Sequence, residues 1–369
     1  MAKYRGAVIG LGWMGMLYDI AHREGDRDVR YTVDDVDRPM PELNVDRRFH
    51  HHDHPGEEGQ PSTYSEAIRD RAEVDLVAGA DRDTKRLKIF TQRFGLDATY
   101  RDAGEMLRKE KPDIVAVATN VKGRADITCL AVECGAKAIM TEKPMAHTLE
   151  EADRMVKTCA DANVPLCCGQ ISTIHPSFAR AKQLLADGAI GDLVSIEAAR
   201  PSGQHQNWSY FLDSPPAWVV GTGNGQRSET GSDEFRGSGM LVTQNGLVVH
   251  FRRGAMRMGV RLSGTEGEMC FVIPPGWELW QYLATAGGTQ RVAVPWPAPQ
   301  YHTYGPVYCL ADLMDCLTGK MDEPKNSGRS VAVAIEVEIA LKQSSANGGA
   351  RVDLPLADRS LGLNYDWYR

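Results

Sequence analysis

Short apolar runs punctuate the first 170 residues: GAVI at 6–9, EVDLVAGAD at 73–81, DIVAVAT at 113–119 and AKAIMTE at 136–142. Amphipathic helical patterns lie between them, among them DTKRLKIFTQRF at 83–94 and GRADITCLAVECG at 123–135. Continuous apolar strands alternating with such helices predict a parallel sheet covered on both faces. A helix over about 148–162 then leads into VPLCCGQ, the expected last strand of a first domain spanning 1–170.

From 171 to 369 the pattern changes. After a helix near 176–187, alternating apolar and polar positions mark LVSIEAAR, SGMLVTQNGLVVHFRRG, MGVRLSGTEGEMCFVI and ELWQYLATAGGTQRVAV as strands. Asn245-Gly246 between two such runs is a hairpin signal. A largely antiparallel sheet with one open face is expected, followed by two helices in VYCLADLMDCL and SVAVAIEVEIALKQSSANG. Residues 24–62 fit neither pattern. They are dense in charge, proline and histidine, and read as an insertion in the first domain.

Composition narrows the function. The chain has 369 residues, which favours two domains. A formal charge of −7 and the lack of a basic stripe argue against nucleic acid or an anionic membrane as partner. The start, MAKYRGAVIGLGWMG, is too rich in glycine to read as a secretory leader, and no 18-residue apolar segment occurs. A cytoplasmic protein is expected. Its eight cysteines have no metal-ligand spacing and read as packed, reduced thiols. His50, His51, His52 and His54 are adjacent on a polar loop, a poor arrangement for one ion, so no metal is expected.

Chemistry enters at GAVIGLGWMG. Gly10, Gly12 and Gly15 match G-x-G-x-x-G directly after a strand, ahead of the helix-capable MLYDIAHR. Such glycines permit the tight turn, the approach of backbone to a pyrophosphate and close helix packing. The fold class expected is therefore α/β: an N-terminal Rossmann doubly wound parallel sheet plus a C-terminal α/β domain with an open, mostly antiparallel sheet. An acidic residue must close the second strand to hold the adenosine ribose. Spacing alone selects Asp34, but Pro39 and Pro41 follow it. Asp81 ends a better strand before a clear helix and is preferred. A carboxylate there favours NAD, while neighbouring Arg82 leaves NADP possible. Lys143 follows the strand AKAIMTE, at the carboxyl edge where open α/β sheets bind ligands, and Pro144 restricts its backbone. A cis bond before Pro144 is conceivable.

These features together resemble the glucose–fructose oxidoreductase/inositol dehydrogenase (Gfo/Idh/MocA) family. The resemblance rests on GAVIGLGWMG, GADRDTKRLKIFTQRFG, PDIVAVATN, CGAKAIMTEKPMAHTLEEA, HPSFARAKQLLADGAIGDL and GTEGEM. It implies NAD(P)-dependent oxidation of a hydroxyl of a sugar, glycoside or cyclitol by a homo-oligomer, a dimer or tetramer. It also implies a cofactor set of Gly10, Leu11, Gly12, Trp13, Met14, Gly15, Asp81, Arg82, Thr119, Asn120, Glu142 and Lys143. Lys143 and His205 are the catalytic candidates; Lys143, His175, His205 and Asn207 are the substrate-binding candidates. The family's Asp-x-x-x-His motif is incomplete in PSGQHQNW, where Pro201 stands in the aspartate position. Gln204, Asn207 or a distant carboxylate must then orient His205, unless that histidine is only hydrogen-bonded in its loop. Ser172 and Thr173 stand where many relatives have arginines, which favours an uncharged substrate. His175 either touches substrate or caps the following helix. Trp277, Trp280, Trp296, Tyr301 and Tyr304 supply either a sugar-stacking face or core. A redox-assisted lyase or glycosidase, and a non-catalytic NAD(H) sensor, are the alternative functions.

Overall fold

The computed structural model describes residues 3–18, 61–169, 172–201, 207–223, 235–252, 259–272, 276–297 and 305–363. The insertion between 24 and 60, Asp34, the four clustered histidines, His205, Tyr301 and Tyr304 lie outside the described residues. The chain divides into two compact units, the first holding 3–169 and 305–328 and the second 172–297 and 329–363 among described residues.

The first unit is a sheet of six strands: β1 Tyr4–Ile9, β2 Val74–Ala80, β3 Thr99–Tyr100, β4 Ile114–Val117, β5 Ala138–Thr141 and β6 Leu166–Cys168. Their order is β3-β2-β1-β4-β5-β6 and every pairing is parallel. The order reverses between β1 and β4, which opens the crevice where such sheets take ligands. β4 and β5 are buried at all four positions each, the consequence of a sheet covered on both faces.

Local chemistry starts and stops the helices. α1, Tyr64–Asp70, begins at Thr63, whose hydroxyl accepts from the Glu66 amide. α2, Thr84–Phe94, is capped by Asp83 and ends on Gly95 in the left-handed region. α3, Ala103–Glu110, starts on Asp102, whose carboxylate accepts from the Glu105 amide. α4 runs Arg124–Glu133 and α5 Leu149–Asp161. In α5 Thr148 accepts from the Glu151 amide while Glu151 accepts from the His147 amide, so two otherwise orphaned donors are satisfied.

The second unit opens with α6, Pro176–Ala186. Its sheet comprises β7 Leu193–Ala198, β8 Pro216–Thr222, β9 Ser238–Thr243, β10 Val248–Phe251, β11 Val260–Gly264, β12 Gly267–Val272, β13 Gly276–Thr285, β14 Gly288–Val294 and β15 Val352–Asp353. The order is β14-β13-β12-β11-β7-β10-β9-β8-β15. Only the β7–β10 pairing is parallel; the rest are antiparallel. The expected hairpin turns at Gly246, where φ is 89°, between β9 and β10. Trp277 is buried against Phe178, Phe211 and Phe271, and Trp296 stacks on it at 5.5 Å and 14°. These two indoles are packing residues; Trp280 instead lies under the Arg291 guanidinium at 3.7 Å.

The structure departs from the sequence reading in several places: β8 lies in a stretch for which no strand is expected, and MGVRLSGTEGEMCFVI is the two strands β11 and β12. ELWQYLATAGGTQRVAV is two strands, because β13 turns back on itself at Gly288 to pair with β14. Residues 305–328 return to the first unit, where α7, Gly305–Leu317, packs against α1, β5 and β6. Behind α7 the buried Lys325 ammonium and amide both bond the Asp312 carboxylate, and the Asn326 carbonyl accepts from the Cys168 amide. α8, Gly328–Ala346, then carries the chain into the second unit.

Candidate active site

The carboxyl ends of the central strands are laced together by backbone bonds. Gly10 N donates to Ala80 O at 2.8 Å, Ala118 N to Ile9 O at 2.8 Å, Glu142 N to Val117 O at 3.2 Å and Gly169 N to Thr141 O at 2.6 Å. Every loop that carries a predicted cofactor residue therefore emerges along one edge.

At β1 the glycines act as the spacing requires. Gly10 has φ of 89°, and a Cβ there would lie 2.7 Å from the Ala118 carbonyl. A Cβ on Gly15 would lie 1.9 Å from the Gly10 carbonyl oxygen, so only glycine lets the turn fold onto β1. The helical turn that follows is a π-turn over Trp13–Leu17, in which the Met16 and Leu17 amides share the Gly12 carbonyl. Of the expected helix MLYDIAHR only Met16, Leu17 and Tyr18 are among the described residues, and Met16 and Leu17 belong to this π-turn. Ser65 on α1 donates to the Gly15 carbonyl at 2.7 Å, tying this turn to the helix that completes the crossover.

Asp81 follows β2. Its Oδ2 accepts from the Leu11 amide at 2.7 Å and its Oδ1 from the Asp83 amide at 2.9 Å. The carboxylate preferred on sequence grounds is thereby fixed against the glycine turn. Arg86, on the first turns of α2, reaches it at 3.3 Å and Asp83 at 3.6 Å. A Cβ on Gly12 would meet the Arg86 guanidinium at 3.3 Å, so this cation overhangs the second glycine. Arg82 is exposed. No sequence signal distinguishes Arg86 from its neighbours; only the helical geometry of α2 brings it back over Asp81.

Beyond β5 stand Glu142, Lys143 and Pro144, with a cis Lys143–Pro144 bond. The buried Glu142 carboxylate accepts from the Lys143 amide at 3.0 Å and from the Tyr64 hydroxyl at 2.9 Å. Burial, and then the charge of Glu142, push the Tyr64 phenol well above its ordinary value, so it stays protonated and donates. Gly169, with φ of 67°, sits where a Cβ would approach Lys143 Cβ at 3.2 Å. Tyr64 and Gly169 are site-supporting residues that the sequence reading missed. Thr119 lies against Gly10, the Cβ position of that glycine being 2.9 Å from the Thr119 amide. Asn120 follows it, and its carbonyl accepts from the Thr119 hydroxyl at 3.1 Å.

The remaining predicted residues belong to the second unit. His175 is the residue before α6, with Pro176 in the first helical position, and its side chain makes no capping bond. Asn207 is buried. The cysteines are free and mostly buried. Burial pushes the Cys168 thiol far up; a hydrogen bond with Cys309, then burial, does the same for Cys167. Among the described residues no cluster has the makings of a metal site, and no helix is long and apolar enough to cross a membrane.

A parallel sheet of this order, with a glycine turn at the switch point and a carboxylate on that turn, defines a dinucleotide-binding Rossmann domain. Residues 59–170 match the model of the oxidoreductase family with an NAD-binding Rossmann fold, GFO_IDH_MocA. The D-apiose dehydrogenase of Paraburkholderia graminis is 38% identical over 125 residues, 34% of this chain and 33% of that protein. The levoglucosan dehydrogenase of Pseudarthrobacter phenanthrenivorans is 31% identical over 127 residues, 34% of this chain and 31% of that one. The chain thus spans about a third of the length of these curated relatives. Over nearly the full length the fold is similar to an oxidoreductase from Agrobacterium radiobacter solved with NAD+, L-tartaric acid and magnesium. That match has a TM-score of 0.61 at 20% identity and covers 95% of this chain and 98% of the other.

Proposed function

We propose that the protein is an NAD-dependent dehydrogenase that oxidises a hydroxyl of a neutral sugar, glycoside or cyclitol. The observation that carries this reading is Lys143, fixed by its own amide and by Gly169 on the same sheet edge as the glycine turn. The sugar dehydrogenases matched by this domain support the substrate class.

The residues of the turn suit the cofactor. Gly10, Gly12 and Gly15 leave room for a pyrophosphate, with Leu11, Trp13 and Met14 between them. Asp81 would hold the adenosine ribose, and Thr119, Asn120 and Glu142 would line the way towards the ring. Nicotinamide, when bound, supplies the hydride acceptor. The chain's own task is to place the carbinol and to receive its proton as the hydride leaves. Lys143 would donate to the developing alkoxide or take the proton. His205, with an imidazole pKa ordinarily of about 6.5, is the other candidate base. His175 and Asn207 are proposed to bind the remaining hydroxyls.

The test is a panel of neutral sugars, polyols and glycosides with the full-length protein and NAD, followed by nicotinamide absorbance. Net NADH formation with at least one member is expected. Tight NADH binding without turnover of any member would leave a sensor. Loss of a substituent without net NADH would leave redox-assisted elimination.

Asp81 should set cofactor choice. Asp81→Ser is expected to lower the NAD-to-NADP ratio of kcat/KM by about tenfold or more, because ribose acceptor and phosphate repulsion vanish together. An unchanged ratio would assign cofactor choice elsewhere, with Arg86 the first residue to vary.

A further inference from the structure

Arg124 opens α4 yet is almost fully buried, at 2% exposure. Nothing about helix stability asks for it there. A cation at a helix N-terminus opposes the macrodipole. Gly123 ahead of it is left-handed and offers no side-chain cap. Desolvating a guanidinium costs several kcal/mol unless good partners replace the water. A residue that breaks local rules in this way marks a site where function sets the sequence.

Its partners identify the task. Nη1 donates to the Glu142 carbonyl at 2.5 Å and to the Pro144 carbonyl, while Nη2 donates to the Thr119 carbonyl. Glu142 and Pro144 flank Lys143 on both sides. Thr119 belongs to the neighbouring loop, beyond β4, against Gly10. One planar fork therefore ties the lysine loop to the loop beside the glycine turn. Tyr64 and the Lys143 amide fix the same loop through the Glu142 carboxylate.

We infer that Arg124 is a positioning residue that sets where Lys143 stands relative to the bound dinucleotide, an inference that rests on the catalytic reading of Lys143. Its planar fork serves three carbonyls through two nitrogens at fixed spacing. A lysine ammonium keeps the charge but is a point donor and cannot span the two loops. Errors of about 1 Å in such placement cost on the order of 10²-fold in rate.

Arg124→Lys in the full-length enzyme should lower kcat about tenfold or more while the Kd for NADH changes less than about threefold. Its effect should depend on the lysine: in a Lys143→Ala background the same change should cost less than about twofold further in kcat. A purely structural role gives losses that multiply, and that result would overturn the inference, as would unchanged kcat in the single variant. A second measurement needs no activity. Hydrogen exchange in Arg124→Lys should rise in segments 118–121 and 141–143, with α5 unchanged. If the wild-type protein turns over no polyol, faster exchange confined to these segments keeps the clamp and rejects the function. Unchanged exchange in them rejects the clamp, whatever the activity.

Discussion

Lys143→Ala is expected to lower kcat by about 10²-fold or more, the usual scale for a partner in proton transfer. The Kd for NADH should change far less. The pyrophosphate is assigned to the turn of Gly10, Gly12 and Gly15, and the Asp81 carboxylate bonded to that turn does not depend on the lysine side chain. The loop itself should survive the change, because its fixed points are the Lys143 amide, the Glu142 carboxylate and backbone carbonyls rather than the ammonium. Steady-state rates with the best substrate of the panel, beside NADH titrations, separate these effects. Lys143→Arg sharpens the test, since arginine keeps the charge but cannot act as a base. Substantial turnover in that variant would give Lys143 an electrostatic or orienting role and leave His205 as the base. His205→Ala should also lower kcat, and the two losses should be non-additive if both groups act on one hydroxyl. Near wild-type turnover in Lys143→Ala would sink the catalytic reading of Glu-Lys-Pro.

The parts of this site legible in the sequence are those whose signal is local. β4 and β5 are visible because strands buried on both faces must be apolar throughout. The glycine turn is visible because its geometry forbids a Cβ at fixed spacing. Asp81 is selected over Asp34 because it joins a clear strand to an amphipathic helix, whereas Pro39 and Pro41 follow Asp34. What the sequence hides is non-local. Tyr64 reaches Glu142 across 78 residues. It lies on α1, a helix of seven residues that follows a polar segment and has too few turns for its period to stand out. Arg124 meets Pro144 across 20 residues, and its sequence context reads as an ordinary amphipathic surface. The return of 305–328 to the first unit rests on the packing of α7 against α1, β5 and β6 and on the bond from the Cys168 amide to the Asn326 carbonyl, pairs too far apart in sequence for any window to contain. The β13–β14 turn is missed because its glycines lie within one alternating run.

α1 brings a second constraint, and with it a large effect on stability. Glu66 is fully buried and pairs with Arg93 of α2 at 2.9 Å, the arginine side chain being 4% exposed. The same carboxylate accepts from the Ser62 amide at 3.3 Å, and Arg93 donates to the Met16 carbonyl at 2.5 Å while lying over Phe94. One ion pair thus joins α1, α2 and the turn that carries the glycines. Such a pair need not stabilise relative to an apolar core, but removing one partner typically costs about 3–5 kcal/mol; the more exposed Arg69, 3.7 Å from the same Glu66 oxygen, offsets part of that loss when Arg93 is removed. Arg93→Met should therefore lower the urea midpoint of the first unit's transition markedly. Glu66→Gln, which keeps shape and most hydrogen bonds, should also destabilise by leaving Arg93 without its counter-charge. The double variant Glu66→Met/Arg93→Met should recover part of the loss, since no unpaired charge remains. Because the chain divides into two units, the transition is best followed by exchange protection of β1 and β4 rather than by one global midpoint. If each single variant shifts protection by less than about 1 kcal/mol, the pair is well solvated in solution and the turn is held by its glycines and Ser65 alone.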